Sequence, residues 1–266
     1  MNADPDNLPG GFYVVAREPG AEHPALPTWG NTDANPAHLD NPPEESVTRQ
    51  EIDQVPGAFQ IHNLVSAEEC RRLIDLAESC GFLPDAAVSL PRSVRHNDNM
   101  TWVADPETTD RLWARSAVVM NADNAQFNHK SAVGLNARFR FYRYSAGDYF
   151  KPHTDGAWPG SRIVDGELIT NAYPDRFSQL SFILFLSDGY VGGETRFYVE
   201  PAKSSGGTRP GQRTRAADMQ IVDVRTPLGS ALCFPHGLHP AHCLHSSEPI
   251  ISGTKYIIRS DVLVAT

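Results

Sequence analysis

A β-sandwich or jelly roll with helices against one sheet is the fold class that the sequence predicts. Helical periodicity is confined to the stretch between about residues 66 and 122, and the chain after Gly134 reads as short strands separated by turn signals. The size agrees: 266 residues, 40 % hydrophobic and 21 % charged, can bury a sizeable core in one large domain or two small ones.

Composition narrows the partners. The net charge of −9 argues against nucleic acid, because a phosphate-binding surface leaves a basic balance. No apolar run reaches the roughly 18 residues of a membrane span, and the opening MNADPDNLPGG lacks the basic start and apolar stretch of a secretory leader. The expected setting is cytoplasmic. Cys70, Cys80, Cys233 and Cys243 form no CxxC pair and are expected to be buried thiols.

Taken in order, residues 1–54 are rich in Pro, Asn, Asp and Glu, and GFYVVAR is their only strand-like run. They are expected to form a Pro-rich N-terminal extension that drapes over the domain of residues 55–266 or stays mobile, without joining its core. A strand-like run then ends at Asn63. Ser66 followed by Glu69 reads as a capping box, and Cys70, Leu73, Ile74, Ala77 and Cys80 recur at helical spacing. TTDRLWARSAVVMNA predicts a second helix. In NARFRFYRY, alternation puts Arg138, Arg140, Tyr142 and Tyr144 on one face and Phe139 and Phe141 on the other. The phenylalanines should pack on helices and the polar face should line a cavity. SQLSFILFLS, ETRFYVE, MQIVDVRT, GSALCFP and GTKYIIRSDVLV are further strands. KSSGGTRPGQRTRAAD, with Lys203, Arg209, Arg213 and Arg215, reads as a flexible loop.

The chemistry sits in FKPHTDGAW. His153 and Asp155 are two apart, so on an extended strand their side chains point the same way and can grip one ion. The HxD pattern is short and needs a third ligand to carry weight. HGLHPAHCLHSSEPIISGTK offers four candidates, His236, His239, His242 and His245. Two histidines and one carboxylate make the facial triad that holds Fe(II) with open positions for other ligands.

YRYSAGDYFKPHTDG, LSFILFLSDGYVGGETRFY, PLGSALCFPH and HSSEPIISGTKYIIRSDV, in that order, resemble the prolyl 4-hydroxylase type of Fe(II)/2-oxoglutarate-dependent dioxygenase. The likeness runs from about residue 55 to the end. It implies a double-stranded β-helix, a jelly-roll and cupin-like fold that is mainly β with flanking helices. It also implies a basic residue about ten positions after the distal histidine. Lys255 stands at that distance from His245 (255 − 245 = 10), and the other three histidines lack such a partner. The implied triad is therefore His153, Asp155 and His245, with Lys255 meeting the distal carboxylate of 2-oxoglutarate.

Arg259 shares a strand face with Lys255 and is the rival anchor. A tyrosine before the HxD is implied to hydrogen-bond 2-oxoglutarate; Tyr142 and Tyr144 both qualify, and Tyr144 is the Tyr of the YxxGD run. The implied cofactor is Fe(2+), with 2-oxoglutarate and O2 as co-substrates and ascorbate as a candidate addition. The implied reaction hydroxylates an unactivated C–H of a peptidyl proline, amino acid or small metabolite, with release of succinate and CO2. A fold of this kind hosts many substrates, so the partner is a small molecule or peptide, with neither nucleic acid nor membrane. The alternative is a non-catalytic jelly roll that binds a metal or ligand, its histidine-rich loop serving Zn2+ or Ni2+. Such a module has no need of Lys255 at that spacing.

Three further readings concern polar groups. Arg95, Asn97 and Asn99 resemble a loop that reaches the pocket mouth. Arg140 and Arg196 read as structural cations inside the barrel, paired with acids such as Glu194. Gly192 and Gly193 read as a turn.

Overall fold

The structure, a computed structural model, describes residues 8–87, 90–122, 127, 130–201 and 219–266. The chain begins with β1 (Phe12–Glu18), β2 (Leu26–Asn31), β3 (Thr48–Glu51) and β4 (Phe59–His62), followed by helix α1 (Ala67–Cys80). Next come β5 (Arg95–His96), β6 (Asp98–Val103) and helix α2 (Pro106–Met120). The first strands of the motif region are β7 (Ala132–Leu135), β8 (Arg138–Tyr144), β9 (Tyr149–His153) and the hairpin β10 (Arg162–Val164) and β11 (Glu167–Ile169). After it lie β12 (Arg176–Phe185), β13 (Val191–Gly192), β14 (Thr195–Val199) and β15 (Gln220–Val224). The chain closes with β16 (Ala231–Pro235), β17 (Leu244–Ser247), β18 (Ile250–Ser252) and β19 (Lys255–Ala265).

Two sheets carry the architecture. The larger has the order β1-β2-β6-β8-β19-β12-β16-β4-β3, with β7 also on β19; the smaller runs β15-β14-β17-β9-β5. Among the described residues, all pairings are antiparallel except β2 with β6. This is the jelly-roll, double-stranded β-helix class, with helices on one face of the larger sheet.

The alternation along β8 sorts the two cores. Phe139 and Phe141 join Trp102, Leu73 and Leu112 on the helix side, whereas Tyr142 and Tyr144 join Phe150, Phe197 and Phe234 between the sheets. The capping box forms as expected: Glu69 N donates to Ser66 Oγ at 3.3 Å and Ser66 N to Glu69 Oε2 at 3.0 Å. Glu69 is fully buried, and Arg115 of α2 meets its carboxylate with two bonds of 2.9 Å, which ties the helices together. On α1, Leu76 is buried beside Cys70, Leu73 and Ala77, while Ile74 and Cys80 are half-buried.

The N-terminal stretch differs from expectation. The described residues before 55 supply three strands rather than one, and β3 pairs with β4 across the expected division. Phe12, Leu26, Ala37 and Leu39 are buried, so the described part of this stretch contributes to the core. Its few apolar residues are spread among Pro, Asn and Asp, which hides the period-two pattern. Residues 202–218, with Lys203, Arg209, Arg213 and Arg215, lie outside the described residues. Among the described residues, no helix is long and apolar enough to cross a membrane.

Candidate active site

Strand β9 ends at His153, so Asp155 stands on the loop that follows and not on the strand. The loop nonetheless turns its carboxylate back to the histidine. β9 pairs with β17, which sets His153 opposite His245 with ring centroids 4.3 Å apart. One ligand atom from each of His153, Asp155 and His245 lies within 4.8 Å of the others. His153 Nε2 is 3.7 Å from Asp155 Oδ1, and His245 Nε2 is 3.9 Å from Asp155 Oδ2.

Backbone carbonyls orient both imidazoles. His153 Nδ1 donates to Lys151 O at 2.8 Å and His245 Nδ1 to Cys243 O at 3.2 Å, which leaves each Nε2 lone pair for a metal. Phe150 stacks on His153 at 3.5 Å and Phe234 packs edge-on against His245 at 4.5 Å, so rotation is blocked. Burial, with repulsion from His245, pushes His153 down to about 4, and burial lowers His245 as well. Burial alone would raise Asp155, but Arg259, the two imidazoles and the Ser181 hydroxyl hold it well below the usual carboxylate range. Two neutral imidazoles and one carboxylate are the protonation state that a divalent ion requires, and the donor set fits Fe(II).

Arg259 lies beside this cluster. Its Nη2 is 3.4 Å from Asp155 Oδ2 and 2.9 Å from Asp261 Oδ1. Ser181 donates to Asp155 Oδ2 at 2.5 Å, and buried His236 stands between Ser181 and Ser178 at 3.0 and 2.9 Å. His236 therefore sits behind the carboxylate and not among the cluster. His242 is exposed and His239 half-buried, both outside the cluster.

Lys255 begins β19 opposite Tyr144. It is 1 % exposed, and Nζ donates to Gly193 O at 2.7 Å and Ser247 Oγ at 3.0 Å. Gly192 and Gly193, at φ of 77° and 71°, make the expected turn, and that turn presents the carbonyl to the amine. Burial, with repulsion from Arg225, pushes Lys255 down to about 7. Among the described residues no carboxylate forms an ion pair with Lys255, and the cost of such a buried amine is relieved when an anion arrives. Tyr142, Tyr144, Lys255, Arg259 and the three cluster residues line one cavity of about 30 Å³, so a five-carbon dicarboxylate seated there requires side chains to shift. Burial raises the Tyr144 hydroxyl, which keeps it a neutral donor.

Two readings need correction. Arg95, Asn97 and Asn99 are buried at and between strands β5 and β6, with Arg95 over the rings of Tyr142 and Phe150, so strands and the single residue joining them, not a loop, carry these side chains. Arg196 is half-buried on β14 and pairs with Asp223 at 2.7 Å and Glu248 at 2.8 Å, while Glu194 pairs with Arg225. Asp223 of β15 and Glu248, just beyond β17, are the acids within its reach.

No protein-family model matches the chain, and no curated protein does. Among solved structures, a prolyl hydroxylase from Trichoplax adhaerens in complex with a hypoxia inducible factor peptide fragment matches at TM-score 0.50 and 14 % identity, over 77 % of this chain and 83 % of that one. A Pseudomonas putida prolyl-4-hydroxylase matches at TM-score 0.48 and 18 % identity, over 77 % and 91 %. The viral collagen prolyl hydroxylase of Paramecium Bursaria Chlorella virus-1, in its 2-oxoglutarate complex, matches at 0.47 and 18 %, over 81 % and 100 %. In fold, the chain is a distant match to the Trichoplax enzyme, and it carries a cluster of two histidines and one aspartate of facial-triad type.

Proposed function

We propose that the protein is a non-haem Fe(II)- and 2-oxoglutarate-dependent dioxygenase that hydroxylates an unactivated C–H bond. One observation carries the reading: two Nε2 atoms and a carboxylate converge on a cavity whose lining includes a buried lysine that makes no ion pair among the described residues. His153, Asp155 and His245 would hold the metal, and Lys255 would receive the distal carboxylate of 2-oxoglutarate. Tyr144, with Tyr142 beside it, would donate a hydroxyl to the same ligand. Iron, when bound, supplies the oxidation of 2-oxoglutarate and a C–H bond by O2, giving succinate, CO2 and a hydroxylated product. The chain's own part is to orient the reactants and exclude water, through the aromatic walls of Phe150, Phe197 and Phe234. Conversion of 2-oxoglutarate to succinate by Fe(II)-loaded protein tests the reading.

The lysine gives a pH dependence with a definite sign. With Lys255 at about 7 in the free pocket, the amine is mostly neutral above that pH, whereas a bound dicarboxylate favours the ammonium. Binding therefore takes up a proton, and affinity rises as pH falls toward 7. Titration calorimetry at pH 8 in buffers of different ionisation enthalpy should show uptake of close to one proton. Proton release, or none, would remove Lys255 from this role.

Arg259 has a different weight. Because it is buried against Asp155 and Asp261, Arg259→Met leaves two buried carboxylates short of a cation and should cost about 3–5 kcal/mol of stability. Lys255→Met strands no acid and should cost less. Urea unfolding of both variants without ligand checks the order, and the reverse order would contradict it.

A further inference from the structure

Arg140 lies on the same face of β8 as Tyr142 and Tyr144 and is 4 % exposed. Its Nη1 has no hydrogen-bond partner among the described residues, and its ion-pair contact, Asp261, is 3.7 Å away, beyond hydrogen-bond distance. That acid is already shared, with Arg259 at 2.9 Å and the side-chain amide of Asn136 at 3.3 Å. Arg140 stands directly opposite Arg259 across the β8/β19 ladder. Burial and repulsion from Arg259 push Arg140 down to about 10, so the guanidinium is still charged at neutral pH.

Arg140 also lines a cavity of about 290 Å³, together with Asn136, Arg138, Trp158, Ser161 and Thr170. Small-molecule sites run from about 300 to 1,000 Å³, so this one suits a small metabolite. Glu18 also lines the cavity, but its carboxylate is taken by Arg138 and Thr28, so among the described lining residues Arg140 is left as the cation with a free donor. The Trp158 ring centroid is 5.0 Å from the Arg140 Cζ, and Trp158 is partly exposed, forming the outer wall. The loop that carries it follows β9, holds Asp155 as well, and is pinned. Trp158 N donates to Ser178 Oγ at 2.7 Å, Asn136 Nδ2 to Pro159 O at 3.3 Å, and Ser161 N to Asn136 Oδ1 at 3.0 Å.

The ladder fixes where this cavity lies. Lys255 faces Tyr144, Ile257 faces Tyr142, and Arg259 faces Arg140. At about 3.4 Å per residue, the Arg140 rung is roughly 13–14 Å from the Lys255 rung, and Asp155 stands at the Arg259 end. Arg140 therefore stands at the Asp155 end of the ladder, away from Lys255. A buried cation with an unfilled donor costs less once an anion completes it, and a carboxylate matches the guanidinium fork.

We infer that this cavity is the prime-substrate site and that Arg140 receives the carboxylate of a small organic acid there, with Trp158 covering the molecule. The inference rests on reading the neighbouring cluster as an Fe(II)/2-oxoglutarate centre, and it narrows the substrate class. A peptidyl proline within a chain brings no free carboxylate, whereas an amino acid or small metabolite does.

The test uses Fe(II)-loaded protein held anaerobic with saturating 2-oxoglutarate. The probes, titrated by calorimetry, are the proteinogenic L-amino acids and short straight-chain carboxylic acids, each beside its primary amide. At least one acid is expected to bind about 10–150-fold more tightly than its amide, the strength of a hydrogen bond to a charged group. Arg140→Gln should collapse that ratio by weakening the acid alone, and Arg140→Lys should keep part of it. An arginine that only supports the fold would weaken acid and amide alike. Should Arg140→Gln fail to fold by circular dichroism, the wild-type ratio and Arg140→Lys still decide. The absence of any acid-over-amide preference across the panel, or a preference that survives in Arg140→Gln, overturns the inference. Wild-type protein that does not bind 2-oxoglutarate at all brings down the iron reading instead, and the same titration tells the two failures apart.

Discussion

His153→Ala, Asp155→Ala and His245→Ala are each expected to reduce Fe(II)-dependent 2-oxoglutarate turnover to background. A facial triad supplies three protein ligands, so the loss of one leaves a pair on a site that must also admit co-substrate and oxygen. Each residue is held in place: carbonyls accept from both Nδ1 atoms, and Ser181 and Arg259 engage the carboxylate. His239→Ala and His242→Ala should retain turnover, because both side chains lie outside the cluster. Turnover assays on the five variants, with circular dichroism to confirm folding, check the assignment. An inactive His242→Ala beside an active His245→Ala would contradict it.

Lys255→Met is expected to weaken 2-oxoglutarate binding by at least about a hundredfold. Removing the partner of a buried charge costs roughly 3–5 kcal/mol, or about two to three and a half decades in affinity. The amine is fully buried and bonded only to a carbonyl and a hydroxyl, so nothing else among the described residues stands ready to replace it there. Fe(II) affinity should survive, since no cluster residue is touched. Lys255→Arg should keep part of the affinity, because a guanidinium also meets a carboxylate but needs different room. Anaerobic titration of 2-oxoglutarate into the Fe(II)-loaded variants measures this. Near-wild-type affinity in Lys255→Met would move the anchor elsewhere, Arg259 being the other cation in the cavity.

Much of this fold was legible because its signals are local. The capping box at Ser66 and Glu69 depends on residues three apart, and the two faces of β8 follow from strict alternation of large residues. What the sequence hides depends on tertiary pairing. Strand β2 gains its place in the sheet from β6, far along the chain, where Thr28 pairs with Thr101, while β1 and β3 pair with their neighbours β2 and β4, and composition alone makes all three read as an extension. Asp155 looked like a strand residue, yet a loop places it, because the strand's last pairing is His153 with His245. Ser181, His236 and Asp261 converge on the site from three strands or their ends, and no short motif joins them. A signal for Arg259 and Asp261 did exist, two charged residues spaced by two within an otherwise apolar run of β19. Arg140 carried the same kind of signal inside RFRFY, but only the cavity and the shared acid separate it from a paired structural cation.

The claim on which the rest depends is that His153, Asp155 and His245 form an iron centre that presents the metal to 2-oxoglutarate. The most direct measurement is an anaerobic titration of Fe(II) and then 2-oxoglutarate into wild-type protein and Asp155→Ala, followed by metal-to-ligand charge-transfer absorbance. Wild-type protein is expected to bind one ion per chain and develop the band on adding 2-oxoglutarate, and Asp155→Ala to develop none. A folded, Fe(II)-loaded wild-type protein that shows no band at saturating 2-oxoglutarate would contradict the account.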